Sequence, residues 1–360
     1  MCYPTFRAQG LFVGSGVSRN RHRLSSEAVR QVLDRPQAAI EVGAPHGDDR
    51  IGAAWAFIIG AMPTVPRPLV TIVTPSLNMA RFLPETIETV LSQDYGSIEY
   101  LVVDGGSTDG TLDILGHYER LGRLRYLVGK DKGPSDAADR GFREAGGEIF
   151  AWLNADDNYL PGAVRTGVEY LLSHPEVDVV YGEGYWIDEE GNRIGRYPTL
   201  PFDPKVLERD CFICQPAAFI RASAYRRCGL DPDINQSFDY DLWIRMAKRG
   251  FRFAAVPEYL ANSRLHRGSK TIYEREDVFR ASMGLLKRHY GYVPFPWVFG
   301  YAAYQSDKRD QFFEPLKPSL GIYFSSLRMG FRMNPRRRFR FFADWISAPL
   351  AGIRRRLRRH

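Results

Sequence analysis

The sequence predicts an α/β fold in which a doubly wound, mainly parallel sheet forms the larger part of the protein. Within the 360 residues, four short apolar segments between positions 69 and 153 alternate with segments that place apolar residues at helical spacing. The first of them, Leu69-Val-Thr-Ile-Val-Thr74, is a β-branched run, which is typical of a strand covered on both faces. Strands and helices that alternate at this rate favour right-handed crossover connections between parallel strands.

Each element of this region has a recognisable start or end. The predicted strands cover residues 69–74, 98–103, 124–128 and 149–153. Pro84 stands in the first turn of the first helix, where a missing N–H is tolerated, and the third helix ends at Ala145 before two glycines. Because the carboxyl ends of parallel strands share one edge of a sheet, the polar segments that follow the strands are expected to gather there. Those segments are residues 75–78, 104–110, 130–136 and 154–157.

The second half predicts a smaller subdomain in which antiparallel strands and helices are mixed. The predicted helices cover residues 161–172, 239–248 and 273–290. The predicted strands cover residues 177–181, 217–220, 251–256 and 259–263, with a hairpin turn at 190–192. A chain of this length can bury one large α/β core and still carry additions at its ends.

The two ends of the chain differ from this regular middle. Residues 1–66 mix Gly, Arg and Pro without a sustained period, apart from one candidate helix over 26–33, so the working domain is predicted to begin near residue 67. Residues 291–360 are predicted to form a helical, Arg-rich tail. Segments 320–333 and 335–358 alternate Phe, Trp, Leu and Ile with Arg, which is typical of amphipathic helices that lie on anionic lipid. The alternative is a solvated, partly disordered tail.

The positive charge is concentrated in that tail. The net charge of the chain is +7, and residues 328–360 contain eleven Arg against one Asp, so the rest of the chain is slightly acidic. This distribution argues against a nucleic-acid-binding body, and no RNA-binding fold accompanies the basic tail. Four cysteines are too few for a disulfide scaffold and favour a reduced, cytosolic setting. No stretch of about 18 apolar residues is present, so the sequence predicts no membrane-spanning helix.

The stretch Ala151-Trp-Leu-Asn-Ala-Asp-Asp157 runs from apolar residues directly into two adjacent carboxylates. At the carboxyl end of a buried strand, adjacent carboxylates stay ionised only where a cation offsets them. A hard divalent ion, Mg²⁺ or Mn²⁺, that also holds a diphosphate suits such a place. The alternative is a solvated turn with an Asp that caps the next helix.

Four segments, in chain order, resemble the signatures of the family 2 glycosyltransferases with the GT-A fold. They are Val70-Thr-Ile-Val-Thr-Pro-Ser-Leu-Asn78, Val102-Val-Asp-Gly-Gly-Ser-Thr-Asp-Gly-Thr111, Trp152-Leu-Asn-Ala-Asp-Asp157 and Ser237-Phe-Asp-Tyr-Asp-Leu-Trp-Ile-Arg245. The resemblance covers residues 68–290 and implies a nucleotide-binding half at 67–160 and an acceptor half at 161–290. It implies an inverting, metal-dependent enzyme that moves one sugar from a nucleotide-sugar donor, a UDP-sugar in the first instance, to an acceptor hydroxyl.

The resemblance also implies roles for individual residues. Asp239 would be the general base that deprotonates the acceptor hydroxyl. Asp156 would be the main metal ligand, with His266 as a further ligand. Asp157, Asp241 and Gln215 would support the site. The residues implied in nucleotide-sugar binding are Pro75, Ser76, Asn78, Asp104, Lys132, Asp136, Asn154, Ala155 and Lys270.

Several of these residues have a purely structural alternative. Asp104 can accept the imide N–H of uracil, but it would equally suit an Asx turn. Lys132 and Asp136 flank a helix start that favours phosphate and ribose, and the same pair suits a capped turn. Asp239 would also serve as a helix cap, and a lone His such as His266 is more often structural than a metal ligand.

The sequence departs from the family pattern at two positions. Asn154 occupies the first acidic position of the D-x-D region, and Phe238 replaces the acidic partner of the catalytic Asp. These departures keep open a catalytically inactive sugar-nucleotide-binding or membrane scaffold protein. A nucleotidyltransferase is a second alternative, although it would carry a Gly-rich, Lys- or Arg-bearing loop where this chain has residues 75–78. No QxxRW-like segment is present, which argues against a processive polysaccharide synthase.

The predicted partners follow from these assignments. They are a nucleotide-sugar donor, a saccharide or lipid-linked acceptor, and an anionic membrane surface that the C-terminal tail would contact. No nucleic acid is expected. The protein is predicted to be cytoplasmic and peripherally associated with the inner face of the membrane, in cell-surface polysaccharide or glycolipid assembly.

Overall fold

The computed structural model describes residues 67–308 and 319–357, and the predicted extension over residues 1–66 lies outside them. A nine-stranded mixed sheet runs through this part of the chain, in the order β3-β2-β1-β4-β8-β6-β9-β5, with β7 paired to β6. The strands are β1 (Val70–Ser76), β2 (Ile98–Asp104), β3 (Arg125–Val128), β4 (Ile149–Trp152), β5 (Asn158–Tyr159), β6 (Val179–Ile187), β7 (Arg193–Arg196), β8 (Ala218–Arg221) and β9 (Phe253–Arg264).

Helices cover this sheet and extend the fold at its C-terminal end. In the first half they are α1 (Leu83–Leu91), α2 (Thr111–Arg120), α3 (Pro134–Arg143) and α4 (Ala163–Ser173). The second half contains α5 (Pro204–Leu207), α6 (Ala222–Cys228), α7 (Phe238–Lys248), α8 (Lys270–Tyr273) and α9 (Arg275–Tyr290). Three further helices follow, α10 (Phe295–Asp307), α11 (Leu320–Met333) and α12 (Arg338–Leu357).

The first half is the predicted parallel, doubly wound sheet. β1 pairs in parallel with both β2 and β4, and β2 pairs in parallel with β3. β1 is longer than predicted, because Pro75 and Ser76, expected in a loop, continue the strand opposite Val103 and Asp104. β4 pairs with β1 only as far as Val73, so Pro75 lies where β1 has a neighbour on one side only. A proline is tolerated at such an edge.

The second half has the predicted mixed character. β8 is antiparallel to both β4 and β6, the β6–β7 pair forms the predicted hairpin, and β9 runs parallel to β6. The two strands predicted at 251–256 and 259–263 form the single strand β9 instead. Pro257, which suggested a break, lies where the register with β6 shifts near Glu183, so its missing N–H costs no regular ladder bond.

Two apolar cores lie on opposite faces of the sheet, as the side-chain alternation along β1 illustrates. Ile72 belongs to the core that α1, α2 and α4 cover, whereas Val73 belongs to the core that α3, α7, α9 and α10 cover. Because helices protect both faces, the central strands can be continuously apolar, as the sequence predicted.

The C-terminal helices are partly built into the second core. Trp297 of α10 and Phe341 of α12 are fully buried, a packing that the prediction of a surface tail did not include. Helices α11 and α12 fall on the two segments predicted to be helical. Among the described residues, no helix combines the length and the apolar composition needed to cross a bilayer.

Candidate active site

The acidic loop that follows β4 opens into a cavity of about 200 Å³ at the carboxyl edge of the parallel strands. The ends of β1 and β9, the loop after β3, the start of α7 and helix α8 also line this cavity. Nine of the predicted site residues line it, namely Pro75, Ser76, Asn154, Ala155, Asp156, Asp157, Gln215, Asp239 and Lys270. Residues that are far apart in sequence therefore converge, as the parallel topology predicted.

Asp156 and His266, the two predicted metal ligands, are in direct contact. The Nε2 atom of His266 lies 3.0 Å from Oδ2 of Asp156. The imidazole is buried and stacks at a tilt on Phe82, with ring centroids 4.6 Å apart. The two residues predicted to ligate a metal are therefore adjacent, although 110 positions separate them in the chain.

Asp157 points into the protein and is held by its surroundings. Its Oδ1 accepts the backbone N–H of Arg264 at 2.9 Å, and its Oδ2 accepts the side-chain amide of Asn154 at 2.9 Å. Burial and the neighbouring Asp156 raise the pKa of the Asp157 carboxyl above its ordinary value. The Asp157 carboxylate therefore fixes the conformation of the acidic loop through these two hydrogen bonds.

Asn154 acts as a hydrogen-bond donor in this network. Its amide donates to Asp157 and, at 3.2 Å, to Oε1 of Gln215. Gln215 in turn donates to the backbone carbonyl of Trp152 at 2.7 Å. An aspartate at position 154 would offer no N–H to Asp157 or Gln215. Both neighbours accept a hydrogen bond from residue 154, so they require the asparagine that departs from the acidic pattern.

Asp239 lies in the first turn of α7 and lines the same cavity as the acidic loop. The residue is 3% exposed, and neither carboxylate oxygen has a hydrogen-bond partner among the described residues. Ser237, directly before the helix, adopts a left-handed conformation with φ 59°, and Phe238 packs on Trp152. A buried carboxylate without a partner is costly, so its retention at a cavity wall is a mark of a functional group.

Asp241, two residues further along α7, has a different environment. It accepts hydrogen bonds from Nε of Arg245 at 2.5 Å and from Nε2 of His289 at 2.7 Å. It is buried away from the cavity and ties α7 to the last turn of α9. The two acidic residues of this segment are thus separated into one satisfied and one unsatisfied carboxylate.

Four other predicted residues are engaged in loop structure outside the cavity lining. Asp104 accepts the backbone N–H groups of residues 106 and 107 and the Ser107 hydroxyl. Asn78 accepts the N–H of residue 108 at 2.8 Å. Lys132 pairs with Asp233 at the surface, and Asp136 accepts the backbone N–H of Lys132. Their predicted contacts with a donor stay predictions.

Two charged residues of the cavity lining were not predicted. Asp131 lines the cavity one position before Lys132, and the Asx turn that its D-x-G sequence favours was the available signal. Arg264 is buried behind the acidic loop, where its guanidinium donates to the backbone carbonyl of Asp156 at 2.9 Å. A single Arg at the end of an apolar strand gives no sequence signal for such a role.

Asp156, which lines the cavity, and His266, which contacts it but is not part of the lining, form a pair from which a metal site could start. The described residues hold no group of three or more His, Cys, Asp or Glu side chains that could bind a metal ion by itself. Protein side chains would therefore supply two ligands, and further ligands would come from a bound molecule or from water.

Comparisons with known proteins show the family and the fold. The model of glycosyl transferase family 2 matches residues 71–229. The putative glycosyltransferase EpsE of Bacillus subtilis is 31% identical over 201 residues, which cover 54% of this chain and 72% of EpsE. Chondroitin synthase of Escherichia coli is 29% identical over 213 residues, 59% of this chain but only 31% of that protein. The chain thus spans about a third of the length of this relative.

A solved structure shares the fold. The crystal structure of residues 1–349 of S. aureus TarS in complex with UDP-GlcNAc superposes with a TM-score of 0.54 at 15% identity, covering 75% of this chain and 82% of that one. The family assignment rests on the sequence relatives, and the fold assignment rests on the similarity to the TarS structure. On these grounds the chain belongs to the family 2 glycosyltransferases and is a transferase with a GT-A-like fold.

Proposed function

We propose that this protein is an inverting, metal-dependent glycosyltransferase that moves one sugar from a uridine diphosphate sugar to a hydroxyl group of a saccharide or lipid-linked acceptor. One observation carries the proposal. The buried, unpartnered carboxylate of Asp239 and the carboxylate of Asp156, which contacts His266, line the same small cavity.

Asp239 is suited to act as the base. An acceptor hydroxyl in the cavity would donate the hydrogen bond that the Asp239 oxygens lack, and that contact is the starting geometry for proton removal. Because Asp241 is committed to Arg245 and His289, the segment offers one carboxylate to the acceptor. A single base on the acceptor side suits a direct displacement with inversion at the anomeric carbon.

Asp156 and His266 fit Mg²⁺ or Mn²⁺. Adjacent ligands of an octahedral ion with bonds of 2.0–2.1 Å lie about 3 Å apart, which is the spacing of the Asp156 and His266 atoms. When bound, the ion would neutralise the diphosphate and make the nucleoside diphosphate an acceptable leaving group. Lys270, which lines the same cavity, would add a positive charge for a phosphate oxygen.

The nature of the donor is supported by relatives. TarS, which shares the fold, was crystallised with UDP-GlcNAc, and chondroitin synthase assembles a polysaccharide according to its name. We extend the uridine diphosphate donor and a role in cell-surface polysaccharide or glycolipid assembly to this chain. The sugar itself is left open.

We also propose that the protein associates peripherally with the inner face of the membrane. Helices α11 and α12 expose large apolar side chains, and exposed Arg residues lie close to them in the chain, a combination that suits an anionic lipid surface. The exposed apolar residues are Leu320, Phe324, Phe339, Phe342 and Ile346. A lipid-linked acceptor would be encountered at such a surface.

The experiment that tests the function is turnover of UDP-sugars with Mn²⁺, compared between the wild type and Asp239→Asn. Loss of the base is expected to lower kcat by about 10²–10⁴-fold, while UDP still stabilises the variant in a thermal-shift assay. Asp113→Asn, an equivalent change at an exposed position of α2, is the control and should retain full activity. Turnover that Asp239→Asn leaves intact would refute the assignment of the base. Donor binding without any turnover in the wild type would instead identify an inactive sugar-nucleotide-binding protein.

A further inference from the structure

The carboxylate that the sequence assigned to the donor's base is already occupied. Asp104 accepts backbone N–H groups at 2.9 and 2.7 Å and the Ser107 hydroxyl at 2.6 Å, so both of its oxygens serve their own loop. Asp104 is fully buried and does not line the cavity. The contact of Asp104 with a donor base stays a prediction, and the cavity lining offers a second carboxylate near this loop.

A second carboxylate occupies the space directly above this loop. Gly105, which follows Asp104, has no side chain, and a Cβ atom added there would lie 2.8 Å from Oδ2 of Asp131 and 3.4 Å from Cδ1 of Leu77. Asp131 reaches this position from the loop after β3. The absence of a side chain at position 105 is what leaves room for it.

The local hydrogen bonding of Asp131 fixes which oxygen is available. Oδ1 accepts the backbone N–H of Gly133 at 2.9 Å in an Asx turn, whereas Oδ2 has no hydrogen-bond partner within the described part of the chain. The residue is half-buried in the cavity wall, and this partial burial raises the pKa of its carboxyl. A ligand N–H group that meets Oδ2 would compensate the lost hydration.

The surroundings of Oδ2 indicate the kind of ligand group. Leu77 is 51% exposed and lies, like the Asp131 carboxylate, next to Gly105, and Pro75 lines the same cavity. A planar heterocycle can cover these apolar side chains with its face and present an N–H at its edge. A ribose ring, which carries hydroxyl groups, would leave Leu77 without an apolar partner.

We propose that Asp131 reads the base of the donor by accepting the imide N3–H of uracil at Oδ2, with Leu77 against the face of the ring. Asp131 is then a specificity-determining residue. Cytosine has an acceptor at N3 where uracil has a donor, so a carboxylate at this place discriminates against cytidine nucleotides. The inference rests on the proposed uridine diphosphate donor and names the residue that selects it.

The first test measures the dissociation constants of UDP and of N3-methyl-UDP, with Mn²⁺ present throughout, for the wild type and Asp131→Asn. Asparagine keeps an acceptor for the Gly133 N–H but removes the charge, so the fold is expected to be retained. A charge-assisted hydrogen bond is worth about tenfold to a hundredfold in affinity, and we expect that loss of UDP binding in Asp131→Asn. N3-methylation should cause a similar loss in the wild type and little further loss in the variant. Asp113→Asn is the matched control.

A second variant disturbs Asp131 without changing it. In Gly105→Ala the new methyl group would push away the Asp131 carboxylate, the end of a side chain that can rotate, so the protein should fold normally. We expect Gly105→Ala to weaken UDP binding as Asp131→Asn does. If both variants bind UDP like the wild type, the role of Asp131 is wrong.

The outcomes separate this inference from the proposed function. Wild-type protein that binds no UDP would overturn the donor class, whatever the variants do. Wild-type protein that binds UDP and N3-methyl-UDP equally would overturn only the contact between Asp131 and the base. A loss with 2′-deoxy-UDP that Asp131→Asn abolishes would move the contact to the ribose and likewise overturn the assignment to uracil.

Discussion

Arg264 connects the acidic loop to two other parts of the molecule. Its backbone N–H donates to Asp157, and its guanidinium donates to the carbonyl of Asp156, to the carbonyls of residues 188 and 189 in the β6–β7 turn, and to Glu85 of α1. The side chain is buried and stacks over Phe82, the same ring that supports His266. One residue therefore sets the position of both proposed metal ligands.

This arrangement predicts a specific defect for Arg264→Lys. Lysine keeps the charge but lacks the planar fork that reaches four acceptors, so the acidic loop should lose its fixed position. Residues behind a metal ligand are typically worth about tenfold to a hundredfold in metal affinity. We expect the Mn²⁺ concentration for half-maximal activity to rise by that factor, with a smaller change in kcat at saturating Mn²⁺.

The control for this experiment is Arg125→Lys, the same exchange in a surface ion pair with Glu99. It should leave the Mn²⁺ dependence unchanged, because exposed pairs contribute little. A titration in which Arg264→Lys lowers only the melting temperature would show that Arg264 stabilises the fold without positioning the metal site.

The residues of the site differ in how far the sequence could predict them. Asp156 and Asp239 stand in recognisable motifs at element ends, and the structure brings both to the cavity. Asp131 could not be selected over Lys132, because only the approach of its loop to Gly105 distinguishes them. The separate environments of Asp239 and Asp241 depend on Arg245 and on a histidine from another helix, which spacing within one helix cannot reveal.

At the scale of elements, the approach of α4 to the sheet depends on a glycine. A Cβ atom at Gly167 would lie 2.4 Å from Cδ2 of Phe219 on β8, a ring that is fully buried. Gly284, in α9, is exposed, and an added Cβ there would meet no atom within 4 Å. Both glycines lie inside helices, but only Gly167 is packed against a neighbouring side chain.

Substitution by alanine should therefore have opposite effects at the two sites. Gly167→Ala overpacks the interface and should lower the free energy of unfolding by about 1–3 kcal/mol. Gly284→Ala removes backbone freedom from the unfolded chain and should raise it by about 0.4–1 kcal/mol. Urea unfolding followed by circular dichroism measures both. Equal effects of the two substitutions would contradict the close approach of α4 to β8.

The regular elements were predictable where local pattern and topology agree. The strands of the parallel half follow continuous apolar segments, and α11 begins and ends at the predicted residues. The strand lengths that the sequence did not predict depend on pairing with neighbouring strands. β1 continues through Pro75 because β2 still pairs with it there, and β9 passes Pro257 because β6 shifts its register. A single sequence shows the proline but not its neighbouring strand.

At the scale of the whole molecule, the C-terminal helices have two different faces. Phe341 and Trp345 of α12 are buried, and Tyr323 of α11 stacks on Trp345 with ring centroids 4.1 Å apart. Phe339 and Leu320, in contrast, are 93% and 76% exposed. The helices were predicted from apolar residues mixed with Arg, but the pattern alone did not indicate which aromatic residues enter the core.

This division allows membrane binding to be tested without unfolding the protein. Leu320→Glu combined with Phe339→Glu removes two exposed apolar groups and adds negative charge. Burial of one such side chain contributes about 1.5–3 kcal/mol, so binding to vesicles rich in phosphatidylglycerol should fall at least about tenfold. Sedimentation with vesicles gives the partition coefficient, with phosphatidylcholine vesicles as the uncharged reference. Leu121→Glu, a half-exposed apolar position at the end of α2, is the control and should bind like the wild type.

Turnover of a water-soluble acceptor should stay unchanged in the double variant, because both positions lie outside the cavity lining. Equal partitioning of the double variant and the wild type would refute the proposed membrane surface and leave the glycosyltransferase assignment intact.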